Sequence, residues 1–556
     1  MTLSDYQVYF FKLYLDKKLE NFNQMDKCEE KYRLYASVSF AFLLLGIGVP
    51  LWWHTTAVPR VTLPYSGIGE LSNLNIKIRG HVIIASASEQ HAQVITNQIK
   101  MAFENSTLYS LSVSYEVISK NLVNSVFTQY DHEKIARTFD IGIGDLLFLE
   151  APNLNEIIVG HHRAIFFPTN TDAFKLVQIL SHMILRDESL ILTRNAMTDP
   201  TKYSLDEENR RRFPPSSTYD VLLTVVNPDP QKLIVKWDLS NITRDYLEPF
   251  LDQLSVIANF SVKSQWLYLM PLDITPKQIP DSSELGRHFA LSESILPQLI
   301  TPLEKKLASQ VSLHPCINLV MYSVPCDQSP LYIYTKSGHK SKSVNNVKAF
   351  LSPRWGGVVI SNSPTDVCKQ AIKSNYEKPA EVVPNAVTIM GVFLSQLRLL
   401  LGIPEPDDKI PGIMVTPTPG ESILREWEFD ALLRVRAIEQ LTSAKLTLQS
   451  LAQLLEEISN IVITETVGNR IKTALDLIHL SAEKLLDGKL MEGFSLSKES
   501  FVTAEKAFTD PSLLALLYFP DDQKYAVYIP LFLPVMIPVL LSLKNITRYF
   551  LNKKSH

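Results

Sequence analysis

LYASVSFAFLLLGIGVPLWW, residues 34–53, is an uncharged apolar run near the start of the chain. A second run of the same kind, YAVYIPLFLPVMIPVLLSL, covers residues 525–543 near its end. About 20 residues of helix cross the roughly 30 Å hydrocarbon layer of a bilayer. The two runs therefore predict one transmembrane helix near each terminus, with the region between them, residues 54–524, on one side of the membrane.

Basic residues beside the two runs indicate their orientation. Lys18 and Arg33 precede the first run, and Lys544 follows the second. An excess of Lys and Arg marks the cytosolic flank of a membrane span. Both terminal segments, residues 1–33 and 544–556, are therefore predicted to be cytosolic, and the large middle region is predicted to lie across the membrane.

Each run also has an alternative interpretation. The first resembles a cleaved signal peptide, but it is longer than the roughly 7–15 apolar residues of such a peptide. The second resembles the removable tail of a GPI-addition signal. A basic tail follows that second run, and this favours a permanent span.

The chain ends in Lys553-Lys554-Ser555-His556. Lysines at the third and fourth positions from a cytosolic C-terminus resemble the dilysine retrieval signal of endoplasmic reticulum membrane proteins. The alternative is ordinary basic anchoring beside a span. We therefore predict a multi-pass protein of the endoplasmic reticulum membrane whose large middle region is lumenal.

Composition limits the classes of partner. The chain has 54 Lys and Arg against 58 Asp and Glu, a net charge of −4, and 46% hydrophobic residues. Proteins that bind nucleic acid through its phosphates present an excess of basic residues. Nucleic acid is therefore not an expected partner, whereas membrane lipid is.

Three of the four cysteines, Cys316, Cys326 and Cys368, fall in the predicted lumenal region, where disulfides form. A bridge between Cys316 and Cys326 would close a loop between two predicted strands. A pair of reduced, buried thiols is the alternative. Because three is an odd number, at least one thiol stays free or pairs with another chain.

Three Asn-x-Ser/Thr sequons lie in the same region, at Asn105, Asn241 and Asn259. Such sequons are acceptors for N-linked glycans in the lumen. Asn259 is the best candidate, because an alternating, strand-like stretch follows it and a glycan must project away from the core.

The pattern of residues 54–385 predicts a mixed α/β region. Strand-like runs such as HVIIASAS at 81–88 and YDVLLTVVN at 219–227 alternate with helical spacing, as in Glu89–Phe103. Residues 199–217 are polar and contain a Pro-Pro pair, so they are the candidate boundary inside this α/β lumenal region.

Residues 386–524 lack strand patterns, and their apolar residues recur at helical spacing. Glu421–Thr464 predicts one long amphipathic helix or a pair of helices. A helical C-terminal portion therefore leads from the α/β region into the second span.

Prolines recur at every fourth position in the second span, at Pro530, Pro534 and Pro538, so they share one helical face. Each removes an intrahelical hydrogen bond, and in lipid the freed carbonyl needs a neighbour to satisfy it. We expect this face to pack on transmembrane helices of another subunit; general tolerance of proline in spans is the alternative.

Motifs of common enzyme classes are missing from the sequence. It holds no Gly-x-Ser-x-Gly elbow, Walker loop, His-Glu-x-x-His, Cys-x-x-Cys or Asp-x-Asp. No catalytic residue, cofactor site or metal site is predicted. The densest titratable cluster is His161-His162-Arg163, which suits either an anion such as phosphate or a plain surface turn. These absences favour a scaffold or recognition subunit.

Several longer motifs, spread over nearly the whole chain, resemble one family, the PIG-S subunits of GPI transamidase. They are PLWWHTT at 50–56, LPYS at 63–66, SPRWGG at 352–357, LQSLAQLL at 448–455, DPSLL at 510–514, YFPDDQK at 518–524 and YIPLFLP at 528–534.

The resemblance implies membership of a complex that cleaves a C-terminal signal from a precursor protein and joins the new end to GPI ethanolamine. It implies a noncatalytic subunit that assembles with PIG-K, PIG-T, PIG-U and the Gaa subunit, with catalysis in PIG-K. Contact with the precursor protein or with GPI itself is compatible with that role. The alternative is a doubly anchored lumenal hydrolase or glycosyl-modifying enzyme whose titratable groups converge near His161 and His162.

Overall fold

A computed structural model describes residue 29 and residues 31–56, 58–119, 129–272, 274–280, 286–334, 348–403, 411–416, 423–458, 461–515 and 521–554. The chain forms two compact units. The body takes residues 64–449 and 471–506, and the terminal unit takes its residues from 1–63, 450–470 and 507–556.

The chain contains helices of very different length. A π-helical turn at Phe42–Gly48 interrupts α1, and two more at Ile179–Leu185 and Thr243–Leu247 continue α5 and α8. The helices are α1 Lys31–Thr55, α2 Tyr65–Glu70, α3 Glu89–Phe103, α4 Gln129–Ala136, α5 Ala173–Gln178, α6 Asp187–Thr198, α7 Glu207–Arg211, α8 Leu239–Ile242, α9 Glu248–Gln253, α10 Leu296–Glu304, α11 Thr365–Lys373, α12 Ala386–Leu401, α13 Glu426–Glu457, α14 Glu465–Leu486, α15 Leu490–Phe508, α16 Ser512–Ala515 and α17 Asp521–Lys554.

A six-stranded sheet forms the first part of the body. Its strands are β1 Ile78–Ser86, β2 Tyr109–Val117, β3 Leu146–Glu150, β4 Ile157–Val159, β5 Ala164–Phe167 and β16 Ile413–Val415. Their order across the sheet is β16-β4-β5-β3-β1-β2, and only the β4–β5 pair is antiparallel. Strands β3, β4 and β5 are buried along their whole length, as expected where helices cover both faces of a parallel sheet.

Helix α3 makes the crossover from β1 to β2. The Ser88 side chain caps it by accepting a hydrogen bond from the His91 backbone N–H, which satisfies one of the unpaired donors of a helix N-terminus. Of the apolar residues expected near one face of α3, Ile95, Ile99 and Phe103 are buried, whereas Val94 is exposed.

A five-stranded sheet forms the second part of the body. In order across the sheet, its strands are β13 Lys348–Ser352, β14 Gly356–Ser361, β11 Cys316–Ser323, β6 Thr218–Asn227 and β8 Asn259–Tyr268. A separate three-stranded sheet has the order β12 Leu331–Tyr334, β10 His288–Ser292 and β9 Lys277–Ile279, and β15 Ala380–Val382 pairs with β7 Leu233–Val235. Residues 199–217, the predicted boundary, lie between β5 and β6 along the chain and hold α7; the boundary stays a prediction.

Helix α13 runs through the interior of the body. Every residue from Ala431 to Thr442 is buried, including the charged ones. A helix that is buried on all sides is a core helix rather than a surface one. The helical character predicted for residues 386–524 is confirmed by helices α12 to α15, but the predicted lack of strands is wrong at Ile413–Val415, which forms β16 beside β4. The α/β character of the region before it is confirmed.

The terminal unit contains the apolar helix α1. Among the described residues, α1 is the one helix long and apolar enough to cross a membrane, and 6% of its apolar window is buried. The apolar part of α17, Tyr525–Leu541, is shorter, so a second span is not established. Trp52 packs edge-on against Tyr528 and Phe532 of α17, with ring centroids 5.6 and 5.7 Å apart.

The segment that leaves α1 is held by backbone pairing. Val61 N–H donates to the Ile463 carbonyl at 3.1 Å, and Ile463 N–H donates to the Pro59 carbonyl at 3.2 Å. Arg60 also donates to the Leu455 carbonyl. These bonds fix residues 59–61 beside the connection between α13 and α14.

Candidate functional site

The turn His161-His162-Arg163 joins β4 to β5 and meets the first turns of α13. The Arg163 guanidinium donates to both oxygens of Asp430, at 2.6 and 2.9 Å, and to Glu426 at 2.9 Å. His162 Nδ1 lies 2.9 Å from the other Glu426 oxygen. Bidentate pairing of this kind gives strong, directional hydrogen bonds.

Protonation at this turn is biased toward neutral His161. Burial lowers the pKa of His161, the His162 charge lowers it further, and Glu133 and Glu426 partly oppose both effects. Burial works against the charged form of Arg163, but the hydrogen bond to Asp430 and the charges of Asp430 and Glu426 together outweigh it and raise the pKa of Arg163. Carboxylates therefore already occupy this cluster, and it is not a vacant anion site.

Other charged residues of α13 form ion pairs with residues of elements beside the second sheet. Glu439 pairs with Arg212 at 2.6 Å and with Arg436 at 3.0 Å, while Glu428 pairs with Arg398 of α12 at 2.6 Å. We call the whole set the α13 ion network. Its members are Arg163, Arg212, Arg398, Arg425, Glu426, Glu428, Asp430, Arg436 and Glu439.

The α13 ion network joins parts of the body that are far apart in sequence. Arg436 also donates to the backbone carbonyls of Phe213 and Leu401, at 3.1 and 2.9 Å. Buried ion pairs add little net stability over apolar packing, but removing one partner is very costly. Loss of one member should therefore be costly, because it would leave a buried charge unpaired.

A second polar group lies where β1 and β3 end. In the sheet, β1 has β2 on one side and β3 on the other, so the strand order reverses at this point. Ligands of α/β folds bind at such a switch point. Ser86 donates to Glu150, and His91 Nδ1 lies 3.7 Å from Glu150 on the other side. The carboxylate sits between the serine and the histidine, so His91 is not placed to take a proton from Ser86, as a nucleophile's base must.

The predicted disulfide between Cys316 and Cys326 is wrong. Cys326 bonds to Cys368 of α11, with the two Cα atoms 5.0 Å apart. Cys316 and Cys326 flank β11, and an extended strand at about 3.3 Å per residue holds its two ends far apart. Cys316 is a free thiol whose pKa burial raises to about 11, which makes it a poor nucleophile at neutral pH.

The SPRWGG stretch forms the turn between β13 and β14. Gly356 has φ +152°, and a Cβ there would lie 2.0 Å from the Asn318 carbonyl oxygen of β11. A Cβ on Gly357 would collide with the Gln396 side chain. Gly356 is required here because a Cβ would collide with backbone atoms, and this gives the motif a structural role.

The remaining predicted residues lie at the surface or in α17. Asn105, Asn241 and Asn259 are all exposed, Asn105 in a turn, Asn241 in α8 and Asn259 at the start of β8. Lys553 and Lys554 are the last residues of α17. Pro530, Pro534 and Pro538 lie within α17 and are exposed. Glycosylation, retrieval and subunit packing stay predictions.

A mixed α/β body together with an exposed apolar helix long enough to cross a membrane is typical of a membrane-anchored α/β protein. A family model described as "PIG-S: Phosphatidylinositol-glycan biosynthesis class S protein" matches residues 39–553. The chain therefore belongs to the PIG-S family.

Relatives match along almost their entire length. The GPI-anchor transamidase component PIGS of Bos taurus is 35% identical over 541 residues, 92% of this chain and 94% of the relative. That of Homo sapiens is 34% identical over 542 residues, with the same coverage. The GPI transamidase component PIG-S homolog of Schizosaccharomyces pombe is 23% identical over 548 residues, 96% of this chain and 87% of the relative.

Proposed function

We propose that this chain is a noncatalytic component of GPI transamidase, needed to attach GPI anchors to precursor proteins in the endoplasmic reticulum. The observation that carries the proposal is the family match over residues 39–553. Mammalian relatives named as components of that enzyme match 92% of this chain. The similarity therefore covers residues of both the body and the terminal unit.

The described side chains support a noncatalytic role. Ser86, Glu150 and His91 stand in an order that does not activate the serine. The Cys316 thiol has a raised pKa, and Cys326 and Cys368 are joined. On this proposal catalysis belongs to PIG-K, and the chain positions PIG-K, the precursor or GPI.

The proposed topology has two spans, with both termini cytosolic and the body lumenal. Apolar side chains of α17 are exposed along its length, with Leu531 66% and Leu540 60% exposed, as suits a lipid-facing helix. The disulfide and the three exposed sequons suit a lumenal body. The second span would cover residues 525–543.

The proline face of α17 is the proposed contact with other transamidase subunits. Tyr528 and Phe532 meet Trp52, and Val539 is buried, whereas Pro530, Pro534 and Pro538 are exposed. Because Pro530 and Pro534 follow Tyr528 and Phe532 by two positions, they lie on the opposite side of the helix, and Pro538 comes about one turn after Pro534. That side stays available for helices of PIG-T, PIG-U or the Gaa subunit.

The decisive experiment combines recovery of partners with rescue of function. The tagged chain is expressed in cells that lack their own PIG-S protein, extracted in detergent and analysed by mass spectrometry. We expect PIG-K, PIG-T, PIG-U and the Gaa subunit to co-purify, and GPI-anchored proteins to return to the cell surface. Absence of all four subunits would overturn the proposal, and hydrolase activity of the isolated chain would favour the enzyme alternative.

The packing face has a matched control within α17. The triple change Pro530→Leu, Pro534→Leu and Pro538→Leu should reduce co-purification of the other subunits. The control changes Ile529→Val, Leu533→Ile and Leu540→Ile alter exposed apolar residues on a different side of the helix and should leave it intact. Equal recovery in both variants would remove the proline face from the proposal.

The retrieval signal is tested separately by imaging. Changing Lys553→Ser together with Lys554→Ser should move the chain out of the endoplasmic reticulum if the two lysines act as a signal. An unchanged reticular pattern would leave assembly with other subunits as the cause of residence.

A further inference from the structure

A cleft of about 280 Å³ with a mixed polar and apolar lining opens on the body, away from the α13 ion network's own contacts. Its walls come from the stretch after α2, the C-terminal end of α6 with the turn that follows, and the Thr442–Lys445 part of α13. Residues far apart in sequence therefore meet here, and both basic and hydroxyl side chains face the space.

Two cations line the cleft, and neither forms an ion pair with a carboxylate of the described residues. Lys445 donates to the Ser72 carbonyl at 3.3 Å, and Arg194 donates to the Thr107 hydroxyl at 3.4 Å. Both side chains are half-buried. Burial lowers the pKa of Lys445, and the nearby Arg194 charge lowers it further, so the two like charges stand close together.

The carboxylate of the cleft does not neutralise this pair. Asp199 accepts a hydrogen bond from the Thr201 hydroxyl at 2.5 Å and lies 3.1 Å from the Lys202 ammonium. Asp187 attracts Arg194, but it does not line the cleft. The cleft therefore keeps a positive balance.

The third polar group of the cleft is the hydroxyl of Thr442. The Thr442 side chain is 3% exposed, lines the cleft, and its hydroxyl has no hydrogen-bond partner among the described residues. Buried hydroxyls are almost always bonded, and in helices a threonine usually bonds to the carbonyl one turn earlier. An acceptor inside the cleft would satisfy this hydroxyl.

We propose that the cleft formed by Arg194, Thr442 and Lys445 binds a phosphate-type oxyanion. A phosphate group offers three acceptor oxygens and a charge of about −1.5 to −2, which matches two cations and one hydroxyl. A carboxylate would offer two oxygens and a single charge. The same chemistry is present in free phosphate and in phosphate monoesters, so the ligand's source is decided by experiment.

The test measures binding to the full chain in detergent, purified with its partner subunits. Isothermal titration uses three probes, inorganic phosphate, O-phosphoethanolamine and inositol 1-phosphate, at constant ionic strength maintained with chloride. Tighter binding of the two esters would assign the cleft to an esterified phosphate, and equal binding would assign it to phosphate alone. No binding of any probe would overturn the proposal.

Three variants connect binding to the cleft. Arg194→Gln and Lys445→Gln should each weaken binding by about tenfold or more, which is about 1.4 kcal/mol or more. Thr442→Val keeps the shape of the side chain and removes only the hydroxyl, so it should fold normally and bind less tightly. This third variant keeps the test valid if a charge change disturbs folding.

Lys498 provides the matched control. It is also half-buried, has a pKa lowered by burial, and donates to a backbone carbonyl, that of Val256 at 3.0 Å. Lys498→Gln should bind the probes as the unmodified chain does. Equal weakening by Lys498→Gln and Lys445→Gln would show nonspecific attraction and would overturn the proposal. Because the readout is binding, its failure leaves the transamidase assignment untouched.

Discussion

The α13 ion network and the cleft at Lys445 both involve residues of helix α13, but they differ in charge pairing. Opposite charges are paired in the network, whereas like charges are neighbours in the cleft. In the network Glu439 faces both Arg212 and Arg436, and Asp430 faces Arg163. In the cleft Lys445 faces Arg194, a like charge. Buried charges that are paired with an opposite charge hold elements in place, whereas charges without a counter-charge at a surface are available to a ligand. The contrast separates a structural site from a binding site on a single element.

The largest effect is expected for Glu439→Leu. The change leaves Arg212 and Arg436 buried without their shared carboxylate, so the free energy of unfolding should fall by about 3–5 kcal/mol. Thermal and urea unfolding of the chain in detergent measure this. Glu381→Gln, which breaks an exposed pair with Lys236, is the control and should cost less than about 1 kcal/mol. Similar losses in both variants would contradict a structural role for the network.

A smaller loss is expected for Asp430→Asn. The carboxylate accepts two bonds from Arg163 and one from the Gly144 N–H at 3.0 Å. Hydrogen bonds to charged groups contribute about 1.5–3 kcal/mol, and the unfolding midpoint should shift accordingly. Asp476, an exposed carboxylate on α14, provides the comparison, because Asp476→Asn should change stability by less than about 0.5 kcal/mol.

The network should also respond to acid through His161. Burial holds the pKa of His161 below its ordinary value of 6.5, with His162 and Arg425 acting in the same direction and Glu133 and Glu426 against it. The folded chain therefore binds fewer protons at His161 than the unfolded chain does. This stability is present above pH about 6.5 and is lost as the pH falls through the folded pKa.

His161→Gln tests this pH dependence. Unfolding midpoints of the variant and the unmodified chain, measured between pH 7.5 and the onset of acid unfolding, should converge as the pH falls below about 6.5. A constant difference across the whole range would mean that titration of His161 does not contribute to stability.

The smallest effect, and the one that sharpens the contrast most, is expected for Lys445→Met. Because Lys445 has a like-charged neighbour and only a backbone acceptor, its removal should change stability by less than about 0.5 kcal/mol in either direction. The same unfolding assay applies. A loss close to that of Glu439→Leu would reveal a structural partner for Lys445 and would weaken the case for a ligand.

Local patterns were sufficient for much of the fold. The alternating run that begins near His81 belongs to β1, the run at 219–227 lies in β6, and Glu89–Phe103 is α3 with the same bounds. Hydrophobic periodicity depends on neighbours a few residues apart, so the sequence displays it directly. The first apolar run likewise appears as α1, whereas α17 has a shorter apolar part than the predicted span.

The failures concern partners that are distant in sequence. Cys326 pairs with Cys368 across a separation of 42 residues rather than with nearby Cys316. Arg163 meets Asp430, 267 residues away, so the His161–Arg163 turn matched neither of its predicted roles, a vacant anion site or a plain surface turn. The cleft at Lys445 carried no sequence signal, since its residues form no motif.

The sequence by itself determined the apolar ends, the α/β and helical regions, and the family, because these depend on composition, short-range periodicity and contiguous motifs. Only the tertiary structure decided which charges are neutralised and which are left open. Coulomb energy depends on the distance between groups in space and on their burial. Neither quantity is fixed until helix α13 brings Arg163 to Asp430 at one point and Lys445 to Arg194 at another.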